Sequence, residues 1–126
     1  MTFPVSFTDR MQNAGVIIEG KVVAKNSYWN ASQNFIYTSN VIDVYKIFKG
    51  NFTSNQVEII TEGGIAGNQK IIVEPSLQLK ENQVGVFFLS SPSYSNPLSP
   101  FYPAIQFECY SAEQGFIKYD LISKTA

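Results

Sequence analysis

The chain contains no histidine. That absence removes the usual general base near neutral pH, the Ser-His and Cys-His nucleophile pairs, and the commonest zinc ligand. Cys109 is the only cysteine, so no internal disulfide can form and the redox compartment stays open. Charge is sparse and balanced. Nine basic and ten acidic residues give a formal net charge of −1, which excludes a general attraction to nucleic acid or to an anionic membrane. Lys21, Lys25, Lys46 and Lys49 would make only a local patch, and solvated strand ends are the simpler expectation. No run approaches the ~18 apolar residues of a membrane helix, so membrane insertion is not expected. The opening MTFPVSF lacks the charged region and apolar stretch of a secretory signal.

What is present points to a β-rich globular domain. The 126 residues are 44% hydrophobic and 14% aromatic, enough for one domain over residues 1–126 that buries about two thirds of its unfolded surface. The longest β-branched and aromatic run without proline is Asn34 to Gly50, NFIYTSNVIDVYKIFKG. Its two-residue period places Ile36, Thr38, Ile42 and Val44 on one face, and Phe35, Tyr37, Val41, Asp43 and Tyr45 on the other. At Ile47-Phe48 two apolar residues adjoin, so the alternation slips as a bulge requires. A strand of this length is expected to coil.

The remaining pattern is a succession of strands. Ser6 to Ala14 reads as a short helix capped by Thr8 and ended by Gly15. Val16 to Ala24 is an apolar strand interrupted by Gly20, and Lys25 to Gln33 is a polar loop carrying Tyr28-Trp29. Gln56 to Glu62 alternates Val57, Ile59 and Thr61 with Glu58 and Glu62. Gly63 to Asn68 reads as a flexible turn, Lys70 to Glu74 as a short strand ended by Pro75, and Val84 to Leu89 as a central strand, apolar on both faces. The prolines and serines of Ser90 to Pro103 predict a long surface loop. Ala104 to Tyr110 and Phe116 to Leu121 are expected to form a hairpin across Ser111 to Gly115. The fold expected is mainly β, a small antiparallel OB-like barrel with a short N-terminal helix, the alternative being a two-sheet β-sandwich. Its core would include Ile18, Val22, Ile42, Val44, Val57, Ile59, Val86 and Phe88, with Cys109 a buried, inert thiol beside Phe107 and Ile105.

From Ala14 to Leu89 the chain resembles a domain found in secreted bacterial proteins. The matching marks are AGVIIEGKVV, the aromatic pair in SYWN, IYT, VYKIFKG, VEIITEGGIAG and VGVFFL. Such domains are similar in architecture to the netrin-like barrel of tissue inhibitors of metalloproteinases. The resemblance implies an OB-like, netrin-like fold and a secreted or cell-surface location. It does not carry the inhibitor mechanism, because that mechanism uses an N-terminal disulfide-linked cysteine and this chain opens MTFPV. Two acceptor-like triplets, Asn30-Ala31-Ser32 and Asn51-Phe52-Thr53, are incidental in a bacterial chain.

Catalytic patterns are not evident. Glu58 and Glu62 would lie about 13 Å apart at ~3.3 Å per residue, beyond the spacing used in glycoside hydrolysis, and read as solvated residues. Gly63, Gly64 and Gly67 match neither dinucleotide nor phosphate-loop spacing. The aromatic rings in two loops are the remaining signal: Tyr28 and Trp29 in one, Tyr94, Phe101 and Tyr102 in the other. They would make a stacking or docking surface, or else fold back over the barrel ends. The expected function is a non-catalytic interaction module binding a protein or polysaccharide partner, monomeric and without a cofactor. Carbohydrate binding through the loop aromatics is the alternative. Single-strand nucleic-acid binding follows from architecture alone and has the wrong charge.

Overall fold

The computed structural model describes residues 12–72, 79–92, 96–102, 104–110 and 116–118. The long hairpin comes first: Val16–Trp29 (β1) and Ile36–Lys49 (β2) pair antiparallel along their whole length. Both runs are dense in β-branched and aromatic residues, which suit a pleated, half-buried surface. The hairpin does not stay in register. Ile17 faces Lys49 while Ile18 faces Ile47, leaving Phe48 unmatched, and further slips follow between Glu19 and Gly20 and between Val22 and Ala24. The expected slip at Ile47-Phe48 is therefore one of three. Each adds twist, which lets fourteen-residue strands curl.

Gln56–Glu62 (β3) pairs antiparallel with β2, and Gly64–Ala66 (β4) and Gln69–Ile71 (β5) form a separate two-stranded sheet. Val84–Ser90 (β6) pairs antiparallel with β1 on one side. On its other side lie Gln106–Cys109 (β7) and Phe116–Lys118 (β8). β7 also pairs with β3, in parallel. The pairings β1–β2, β2–β3, β3–β7, β7–β6 and β6–β1 thus return to their starting strand.

Two expectations are corrected. The sheet is mixed, because β6 pairs back to β1 before the chain returns beside β3, and that return runs parallel to β3. The hairpin across Ser111 to Gly115 does not form. Ser90 faces Glu108, Leu89 faces Cys109, Phe87 faces Phe116 and Gly85 faces Lys118, so β7 and β8 run in one direction along a single edge of β6. Gly85 makes this fit possible, since a Cβ there would run into the Ile117 backbone. Six of the described strands belong to one sheet, and β4 and β5 make up the other. The helix expected over Ser6 to Ala14 lies, as far as Met11, outside the described residues, and none of the described elements is a helix.

The main core gathers Ile18, Val22, Ile42, Val57 and Ile59, as the alternation implied, with Val44 packed against it. From β6 it takes Phe87 and Leu89, and Phe87 stacks on Phe116 with ring centroids 4.4 Å apart. Val86 and Phe88 point the other way. Phe88 is buried in a second, smaller cluster with Ala14 and Ile17, against which Val86, Tyr110 and Ile117 pack. Strand parity explains the difference: of two adjacent phenylalanines only one can face inward. Cys109 is a free, buried thiol in the main core, and burial pushes its ionisation well above the usual thiol range.

Candidate interaction surface

Tyr28 and Trp29 belong to a strand and not to the expected loop, because β1 continues to Trp29 and the turn is confined to residues 30–35. Asn30 builds that turn. Its backbone N–H donates to the Phe35 carbonyl at 2.9 Å, and its side-chain oxygen accepts from the N–H groups of Asn34 and Phe35 at 3.0 and 3.1 Å. Successive strand residues face opposite sides, so Tyr28 and Trp29 do not share one platform. Trp29 is 38% exposed at the strand end. Tyr28 instead joins an aromatic row, its ring 6.2 Å from Tyr37, which lies 4.9 Å from Phe35. Burial pushes the Tyr28 phenol up to about 12, with the neighbouring Glu58 and Tyr37 adding to the effect. Burial, and then Glu62, also raise Tyr37.

Glu58 is the unexpected centre of this face. It is only 3% exposed, where a solvated carboxylate was expected. Three neutral donors satisfy it: the Ser39 hydroxyl, the Ser99 hydroxyl at 2.9 Å and the Gln106 amide at 2.6 Å. A buried carboxylate is tolerated only with such partners. Gln106, itself buried, also holds Asn96, accepting its N–H at 3.0 Å and donating to its carbonyl at 3.2 Å. The Asn96 carbonyl in turn accepts the Ser99 N–H at 3.1 Å, and the Ser99 carbonyl accepts the Tyr102 N–H at 3.2 Å.

The segment expected to be an irregular loop is, over residues 96–102, a chain of turns pinned to the sheet. This pinning brings Phe101, half-buried, and Tyr102, 43% exposed, to the face that carries Tyr28. Tyr94 lies outside the described residues. Leu98, which the aromatic pattern did not single out, is 93% exposed. The clue to it was its setting between Pro97 and Pro100 in a stretch without charge.

A second appendage, the β4–β5 hairpin, is fastened by hydroxyls. The Ile65 N–H donates to the Ser27 hydroxyl at 3.3 Å, which donates to the Thr38 hydroxyl at 2.9 Å, which donates to the Gly63 carbonyl at 2.7 Å. Gly64 has φ +143° and lies against both hydroxyls, so a side chain there would displace them. Nearby, buried Asn40 donates to the Ile59 carbonyl at 2.9 Å and the Thr61 hydroxyl at 3.1 Å. Ile65 remains exposed on the hairpin.

No helix among the described residues is long and apolar enough to cross a membrane. No protein-family model matches this chain, and no curated protein or solved structure is significantly similar to it.

Proposed function

We propose that this chain is a non-catalytic interaction module, part of a secreted or cell-surface bacterial protein, built on a small OB-like, netrin-like barrel. The barrel reading rests on the ring of five pairings with one parallel contact between β3 and β7. Five-stranded OB barrels bind oligomeric ligands on the face of their second and third strands, between the first–second and fourth–fifth loops. Here the first of those loops is residues 30–35, and residues 96–102 lie in the connection from β6 to β7. The argument from fold is analogy, since one fold hosts many functions.

The observation that carries the interaction reading is the pinned loop. Glu58 and Gln106 hold residues 96–102 against a face bearing Tyr28 and Tyr37, and leave Tyr102 exposed. Ordered rings on a rigid support lose little entropy on binding. The alternative, a carbohydrate-binding domain, is favoured by the exposed rings of Trp29 and Tyr102, which offer flat faces to sugars. Trp29 is the only tryptophan, so its fluorescence reports on its own surroundings. The test is two single changes in the folded chain, Tyr102→Ala on the pinned loop and Trp29→Ala at the strand end, which faces away from Tyr28. Loss of binding to a partner or a polysaccharide in Tyr102→Ala supports the surface, and unchanged affinity moves the site elsewhere.

A further inference from the structure

We infer that Leu98 is the anchor of this surface: an aliphatic plug, carried on a preorganised turn, for an uncharged apolar pocket in a folded protein partner. The inference rests on the interaction-module reading and names the class of partner. A single exposed leucine is ordinary on a protein surface, so exposure alone carries nothing. What distinguishes Leu98 is how it is held. Its N–H donates to the Asn96 side-chain oxygen at 3.2 Å, and the turn closes through the Ser99 N–H on the Asn96 carbonyl at 3.1 Å. One end of that turn is clamped at Asn96 by buried Gln106, through two hydrogen bonds of 3.0 and 3.2 Å. The other end is held at Ser99 by buried Glu58. Pro97 and Pro100 flank the apex. The side chain at the tip is thus 93% exposed on a turn hydrogen-bonded at both ends to buried side chains.

Chemistry selects the partner. No charged residue stands between Glu81 and Glu108, so the loop offers nothing to an acidic or basic surface. A branched aliphatic side chain has no flat face for a sugar ring, which argues against a polysaccharide at this point. One leucine beside one tyrosine, without a lysine or arginine in the loop, provides too little for a bilayer. A shaped apolar pocket is what remains, and preorganisation lowers the ordering cost of filling it. Tyr102, exposed near the turn, would pack at the rim.

The test uses the whole chain, immobilised and offered the envelope proteins of its own cells. The protein retained is purified, and its affinity is measured for wild type, Leu98→Ala, Leu98→Asp, Leu98→Ile and Tyr102→Ala, each with its melting temperature. Because Leu98 is exposed, these changes leave the fold intact. The expected result is a weakening of about 30-fold for Leu98→Ala, loss for Leu98→Asp and near-wild-type affinity for Leu98→Ile. Unchanged affinity in Leu98→Ala with loss in Tyr102→Ala would overturn the anchor and leave the surface standing. Unchanged affinity in every variant would overturn both. Retention of no protein would also overturn the inference. So would binding to neutral phosphatidylcholine vesicles that Leu98→Asp abolishes, binding to a soluble neutral glucan that Leu98→Ala leaves unaltered, or self-association through Leu98 in sedimentation.

Discussion

Thr38 and Ser39 are adjacent on β2, face opposite sides, and fasten two different appendages. Thr38 holds the β4–β5 hairpin through neutral groups, the Ser27 hydroxyl and the Gly63 carbonyl. Ser39 joins the buried carboxylate of Glu58, on which residues 96–102 are pinned. The two attachments differ in kind. A hydrogen bond to a charged acceptor contributes roughly twice what a neutral one does, and a buried charge that loses its donors is far costlier than a hydroxyl that loses its own. The loop should therefore be bound into the cooperative unit of the sheet, while the hairpin opens more readily.

Both appendages depend on the sheet beneath them, so the largest effect comes from the sheet. Phe88→Ala removes a buried ring shared with Ala14 and Ile17 and is expected to cost ~3–5 kcal/mol in denaturant unfolding. A melt within a degree of wild type would mean that β6 is misplaced. Next comes Glu58→Ala, which strands the Ser39, Ser99 and Gln106 donors and should cost about 2–3 kcal/mol, hydroxyl rotation softening part of the loss. Ser27→Ala cuts the hairpin relay at its middle and should cost only ~0.5–1.5 kcal/mol. If Ser27→Ala proves the more costly of these two, the contrast between the attachments is reversed.

The remaining effect is a pH dependence. Below pH 10 the Tyr28 phenol is protonated in both states and has no influence. Between pH 10 and about 12 the unfolded chain releases that proton while the folded one keeps it, so stability falls as pH rises. Tyr28→Phe should flatten that part of the stability profile. An unaltered slope would mean that Tyr28 is less enclosed beside Glu58.

Much of the sheet was legible because it is local. The alternation of Ile36, Thr38 and Ile42 predicted their shared buried face, and the adjoining Ile47 and Phe48 predicted the register slip. What was not legible depends on distant partners. Glu58 alternates with Val57 and Ile59 as a solvated residue would, and the serine that covers it lies 41 residues further on. The same is true of β7 and β8, which look like a hairpin until β6 is seen to pair with both. Leu98 was passed over because turn-forming residues surround it, and turn chemistry does not reveal how firmly a turn is held.

Amide hydrogen exchange at Ser99 and Tyr102 against Ile65 tests the central claim most directly. The account predicts that Ser99 and Tyr102 exchange only through opening close to global unfolding, that Ile65 exchanges at least about tenfold faster, and that Glu58→Ala releases the first two without altering the third. Exchange of Ser99 and Tyr102 at the rate of an unstructured loop in the wild-type chain would contradict it.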